Sequence, residues 1–120
     1  MYRDVSDVLA QVQEAVPFLG IELKDVDQRS IFGDTPLILV MTWGDVAAAS
    51  LLIEAGADVS VKGEDGDTAL HRAASFGHAE LIALLLANNA RASAENDDGY
   101  TPLQLAELGG NEAIVQMLDI

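Results

Sequence analysis

The sequence repeats itself at a fixed interval, and this period constrains the fold more than any other feature. GDTPL at residues 33–37 recurs as GDTAL at 66–70 and as GYTPL at 99–103, so the motif starts every 33 residues. A second glycine follows in the same register at Gly44, Gly77 and Gly110. Because self-similarity at a period of roughly 20–50 residues is typical of repeat architectures, we expect similar units that stack side by side.

Each unit of the repeat has the signals of a helical hairpin. The motif threonines Thr35, Thr68 and Thr101 can each cap a first helix with the side-chain oxygen. Thr101 with Gln104 also forms a capping-box pattern. The second glycine then ends this helix, and a second helix follows, whose paired apolar residues predict a buried stripe. These pairs lie at residues 51–52, 84–85 and 117–118.

The turn after each second helix needs a residue in the left-handed region of backbone space. Gly56 supplies it in one copy, and Asn89 stands at the same position 33 residues later. Asparagine tolerates a positive φ better than most other residues with a side chain. The register of the repeat therefore survives this substitution, and the hairpins can bury their apolar faces against one another.

The period of 33 residues and the motif TALHRA at residues 68–73 resemble the ankyrin repeat. The resemblance covers residues 33–120 and implies an all-α ankyrin-repeat solenoid of stacked helical hairpins with an N-terminal helical cap. We expect a single domain that comprises a divergent N-terminal cap, two full repeats and a truncated C-terminal capping repeat. These parts span residues 1–32, 33–65, 66–98 and 99–120.

The N-terminal cap has a helical pattern of its own. Its apolar residues recur at spacings of three and four, which predicts an amphipathic helix that Pro17 stops. The apolar positions are Val5, Val8, Leu9, Val12 and Val16. In the last repeat, Glu107 and Glu112 are tolerable on the outer face of the stack.

Charge and composition exclude several classes of partner. Twenty acidic residues against six basic ones give a formal net charge of −14, which repels nucleic acid and anionic membranes and attracts basic proteins. There are no cysteines, so the chain has neither a disulfide framework nor a thiolate metal site. There is no apolar run long enough to span a membrane, and Asp4 and Asp7 occupy positions where an export signal would be basic or apolar. A cytoplasmic location is expected by default.

His71 is the first candidate functional residue. It occupies the histidine position of the ankyrin motif, where the resemblance implies a side chain that is hydrogen-bonded to neighbouring loop backbone. The other copies carry Ile38 and Gln104 at this position. A glutamine side chain can form similar hydrogen bonds and isoleucine cannot. At the first interface between repeats, other groups must therefore hydrogen-bond to the loop backbone.

The remaining candidates for a metal site or a catalytic site lack the required spacing. His78 stands where the other copies have Asp45 and Asn111, at the start of a second helix, and no third ligand lies at a spacing typical of zinc. The acidic runs at 64–67 and 97–98 lack the alternating pattern of an EF-hand and are interpreted as solvated turn tips. The sequence contains no phosphate-binding loop, nucleophile elbow or nucleophile paired with a base. We therefore expect no catalysis, no metal and no cofactor.

The resemblance implies a binding surface on the concave face of the stack, formed by the turn tips and the ends of the first helices. The candidate partner-binding residues are Ile31, Phe32, Asp34, Trp43, Glu64, Asp65, Asp67, Phe76, Asp97, Asp98 and Tyr100. This set holds six carboxylates and no basic residue, together with aromatic side chains of the kind that anchor binding hot spots. The alternative for Trp43 and Phe76 is that they only pack on adjacent helices.

The sequence thus predicts a non-catalytic protein-protein interaction module, monomeric in isolation, that binds a partner protein with a basic surface. Its size and acidity resemble those of small bacterial ankyrin proteins, including immunity proteins that occlude the active site of a toxin. The alternative is a structural scaffold or a self-associating protein that acts through the apolar ends of the stack, residues 5–16 and 117–120.

Overall fold

The computed structural model describes residues 2–14, 26–30 and 32–119 of the chain. In these ranges the chain is all-helical, as predicted. The α-helices are α1 (Val5–Gln13), α2 (Pro36–Trp43), α3 (Val46–Glu54), α4 (Ala69–Phe76), α5 (Ala79–Ala87), α6 (Pro102–Leu108) and α7 (Glu112–Leu118), and a short 3-10 turn spans Glu64–Gly66.

The helices pack as consecutive hairpins in two layers. Helices α2 and α3 form the first hairpin, α4 and α5 the second, and α6 and α7 the third. Helix α4 packs between α2 and α6 in an inner layer, and α5 packs between α3 and α7 in an outer layer. This arrangement confirms the predicted stack, in which each hairpin buries its apolar face against the next.

Capping hydrogen bonds start the inner helices where the sequence predicts. The side chains of Thr35, Thr68 and Thr101 each accept a hydrogen bond from the backbone N–H three residues later. The third inner helix differs at its other end, because α6 stops at Leu108 and Gly109 is its C-cap. Two consecutive glycines weaken the last helical turn, so α6 is one residue shorter than α2 and α4.

The N-terminal helix caps the stack on its first hairpin. Val8 and Val12 are fully buried where α1 packs against α2 and α3. The Tyr2 hydroxyl donates a 2.8 Å hydrogen bond to the Asp45 carboxylate, and burial together with this bond raises the pKa of Tyr2. The predicted helix is confirmed over its first turns and ends at Gln13. Val16 and Pro17, which were expected to complete and stop it, lie outside the described residues.

An exposed ion pair holds the start of α1. The Arg3 guanidinium donates to Asp7 at 2.9 Å, and this hydrogen bond lowers the pKa of the Asp7 carboxyl to about 2. Asp4 caps the same helix by accepting from the N–H groups of Ser6 and Asp7. Arg3 and Asp4 are thereby tied to the first turn of α1.

The turns between paired helices bring neighbouring repeats into close contact. Gly77 ends α4 in the left-handed conformation at φ 73°, and a Cβ atom there would lie 3.0 Å from the Asn111 side-chain nitrogen of the next repeat. Gly44 is in the same conformation at φ 70°, and the His78 ring of the next repeat lies 2.8 Å from the corresponding point. Each of these glycines therefore permits both a sharp turn and the approach of the next hairpin.

Replacing Gly77 by valine should lower the free energy of unfolding by more than about 1 kcal/mol, because a β-branched residue resists a positive φ and would displace Asn111. The matched control is Gly109→Val, at a position with φ −79° and only ordinary contacts, where the change should stay within about 0.5 kcal/mol. Thermal or urea unfolding measures both variants. Equal losses in the two variants would contradict this account of Gly77.

Candidate functional site

Three turn tips precede the inner helices and repeat one backbone hydrogen bond. The N–H groups of Ser30, Gly63 and Asn96 donate to carbonyls four residues ahead, at 2.7, 2.8 and 2.9 Å. The second and third tips carry the carboxylates that the sequence analysis singled out. We call Glu64, Asp65, Asp67, Asp97 and Asp98 the tip cluster.

The two tips that form the cluster are bonded to each other. The Asp97 N–H donates to the Asp65 carbonyl at 2.9 Å, and the Asn96 side-chain amide donates to the Asp67 carboxylate at 3.0 Å. Asp65 has a φ of 60°, a left-handed conformation that aspartate tolerates. These bonds fix the backbone of the tips. Four residues of the cluster are exposed, and the fifth, Asp67, is half-buried.

Asp34 does not join the exposed cluster. It is only 4% exposed, and its carboxylate accepts a 2.9 Å hydrogen bond from the Glu64 N–H of the second tip. The Arg72 guanidinium also donates to this carboxylate, at 3.3 Å, and reaches Thr42 at 3.4 Å. Asp34 therefore makes the hydrogen bonds at the first interface between repeats that Ile38 cannot make. Its buried carboxylate is engaged in these bonds and is not available to a partner.

The exposed aromatic residues divide between two ends of the inner helices. Phe32 and Tyr100 lie at the tips, with 52% and 40% of their surface exposed. Trp43 and Phe76 are the last residues of α2 and α4, with 37% and 52% exposed. We call this second pair the aromatic end. An eight-residue helix is about 12 Å long, so α4 separates the aromatic end from the tip cluster by that distance.

His78 belongs to the surroundings of the aromatic end. Its ring stacks on Phe76 with 6.2 Å between ring centroids and an angle of 16° between the planes. It begins α5 without a side-chain capping bond, unlike Asp45 and Asn111 at the same position of the repeat. Phe76 therefore makes one aromatic contact within the chain while half of its surface stays exposed.

Sequence reasoning missed how the basic residues are used. Arg29 donates to the carbonyls of Gly33 at 2.6 Å and Lys62 at 2.7 Å. Lys62, 33 residues later, donates in the same way to the carbonyl of Glu95 at 2.7 Å. The shared spacing of Arg29 and Lys62 was the signal that could have predicted this ladder. Together with Arg72, these side chains bond within the fold.

A comparison with protein-family models settles what kind of repeat this is. The model described as ankyrin repeats, in three copies, matches residues 8–96 and 49–119. The chain belongs to the ankyrin repeat family. A comparison with curated proteins gave no match. Ankyrin repeats act as protein-protein interaction modules and are typically non-catalytic.

Two observations on the described ranges bear on other functions. In residues 2–14, 26–30 and 32–119, no group of three or more histidine or acidic side chains is placed to hold a metal ion. None of the helices in the same ranges is both long and apolar enough to cross a membrane. Ile31, one of the candidate partner-binding residues, lies outside the described part of the chain.

The ankyrin histidine His71 has the structural role that the resemblance implied. It is fully buried, and its Nε2 lies 2.7 Å from the Tyr100 carbonyl of the next repeat. Its Nδ1 lies 3.1 Å from the Thr68 N–H and 2.9 Å from the Thr68 hydroxyl. Because a carbonyl only accepts and an N–H only donates, Nε2 carries the proton and Nδ1 is the acceptor.

Replacing His71 by glutamine should reduce stability by less than about 1 kcal/mol, because Gln104 forms the same capping box in the third repeat. Replacing it by leucine should cost more than about 2 kcal/mol, since the Thr68 N–H and the Tyr100 carbonyl would both lose their partner. Urea unfolding compares the two variants. A large loss of partner binding in His71→Gln at unchanged stability would instead place His71 in the binding site.

Proposed function

We propose that this ankyrin protein is a non-catalytic module that binds a basic partner protein through the tip cluster and the exposed aromatic residues. The observation that supports the proposal most is the unpaired charge of the tips. Within the described ranges the ion pairs are Arg3–Asp7 and Arg72–Asp34, and neither includes a carboxylate of the tip cluster. A basic surface would therefore meet carboxylates that are not held in an ion pair within the described part of the chain.

The aromatic residues would supply the short-range part of binding. Aromatic side chains are enriched among the residues that contribute most to binding energy, and Trp43 and Phe76 are exposed although the core is already filled by aliphatic residues. Desolvation of these rings by a partner would slow dissociation. The tip carboxylates, in contrast, would act at longer range and speed association.

The proposed role of charge predicts a specific kinetic defect. Neutralising four tip carboxylates as Asp65→Asn, Asp67→Asn, Asp97→Asn and Asp98→Asn should slow association with the partner, most strongly at low salt. Charges more than about 8 Å apart are largely screened at physiological ionic strength, so the defect should shrink as salt rises. Asparagine keeps the oxygen through which Asp67 accepts from Asn96.

A matched control removes the same amount of charge elsewhere. The exposed residues Glu54, Glu107, Glu112 and Asp119 lie outside the tips, and their neutral amide variants change the net charge equally. The partner is first obtained by affinity capture on the wild-type chain. In stopped-flow kinetics, the association rate should fall much less for this control than for the tip variant. Equal effects of the two sets would mean that net charge, and not the tip cluster, drives association.

The aromatic end gives the complementary prediction. Trp43→Ala and Phe76→Ala should each raise the dissociation rate and cost about 2 kcal/mol of binding energy, with little change in association. The two side chains are partly exposed, so both variants should remain folded. Folded variants that bind normally would argue that Trp43 and Phe76 only pack on adjacent helices.

The finer proposal is that binding inhibits the partner, as in immunity-type proteins that occlude a toxin's active site. The exposed carboxylates of the tips support it, because an enzyme that acts on an anionic substrate has a basic cleft that such a surface could fill. Inhibition should then compete with the substrate. Binding without any loss of the partner's activity would support a scaffolding role instead.

A further inference from the structure

The surface formed by the tips and the inner helices has its carboxylates at one end. The 33-residue repeat places them at the same end in each copy. All carboxylates of the tip cluster precede the inner helices. The exposed positions toward the ends of these helices carry no carboxylate on this surface. They are occupied by Thr42, Trp43, Ser75, Phe76, Leu108 and Gly109.

Glu107 is the exposed carboxylate of the inner helices, and its register places it on a different face. The residues at the same position of the other repeats, Met41 and Ala74, are both buried. Glu107 therefore belongs to the helix face that is buried in α2 and α4, and not to the face that exposes Trp43 and Phe76. It does not interrupt the neutral surface formed by the helix ends.

Arg72 lies between the acidic tip cluster and the neutral surface at the ends of the inner helices. It is the fourth residue of α4, and its guanidinium lies between Asp34, at the tip side of α2, and Thr42, near the end of α2. Its side chain is 16% exposed and forms an ion pair with Asp34, so this point adds no net negative charge that would attract a cation of the partner. The exposed carboxylates that would attract a cation lie on the tip side of Arg72.

We propose that the segment of the partner that contacts this surface is segregated in charge, with basic residues against the tip cluster and uncharged apolar residues against the inner helices. This inference rests on the proposed function and adds to it the pattern that the surface selects. The distance of about 12 Å along α4 corresponds to about four residues of an extended chain.

Two synthetic peptides of identical composition test the pattern. Both contain about four arginines and four uncharged apolar residues. In one peptide the arginines form a single block followed by the apolar block, and in the other the two kinds alternate. Each is titrated into the isotopically labelled chain at low salt, and the backbone amides of the tips and the Trp43 indole are followed by NMR.

The segregated peptide should bind about fivefold more tightly than the alternating one and should shift both the tip amides and the Trp43 indole signal. In Phe76→Ala, the advantage of the segregated peptide should shrink and the shift of the Trp43 signal should weaken. In the control Glu107→Gln, with a charge removed from the other face, the advantage should persist.

Three outcomes would overturn the inference, and they separate it from the proposed function. Equal affinities of the two peptides, with shifted tip amides, would overturn the segregation alone. Tip amides that respond to neither peptide would overturn the basic partner and the segregation together. A Trp43 signal that shifts when the chain alone is diluted would assign the helix ends to a second copy of the chain.

Discussion

Hydrogen bonds between neighbouring tips are the interactions on which the rest of this structure depends. A single hairpin cannot bury its own apolar face, so each repeat must hold the next at a fixed distance. Side chains of Arg29 and Lys62 bond to carbonyls of the following repeat, and His71 does the same from inside the stack. These bonds set the register in which the inner helices pack.

The same bonds fix where the basic side chains of the stack lie. Arg29, Lys62 and Arg72 bond to carbonyls or to Asp34 within the fold, and none of them forms an ion pair with a carboxylate of the tip cluster in the described ranges. The chain has a net charge of −14, and the carboxylates at the tips differ from the others because they are exposed on a rigid, hydrogen-bonded backbone. Rigid, pre-organised groups lose little entropy on binding, which favours the tips as a recognition surface.

The sequence was sufficient to predict the elements that depend on local chemistry and period. Capping by Thr35, Thr68 and Thr101 was confirmed, and Asn89 has the expected left-handed conformation at φ 67°. The structural role of His71 was also confirmed, through its bond to Tyr100. The roles of the threonines and of Asn89 follow from their positions in one repeat unit, and the bond of His71 to the next repeat was implied by the resemblance to the ankyrin motif.

Features that depend on two repeats at once could not be predicted in this way. The burial of Asp34 follows from its bonds to Glu64 of the second tip and to Arg72 of the next repeat, and a solvated tip carboxylate has the same sequence signal. The separation of the tip cluster from Trp43 and Phe76 also requires the length and direction of α4. The repeat period predicts the helices, and the structure is needed to show which side chains are buried between repeats and how far apart the surface groups lie.

Hydrogen exchange of the chain in complex with a captured basic partner tests the central claim most directly. The account predicts slower exchange on binding in the tips, residues 63–68 and 96–101, and at the carboxyl ends of α2 and α4, with α3 and α5 unchanged. Slower exchange confined to α3 and α5, with tips that exchange as in the free chain, would contradict it and would place the partner on the outer layer.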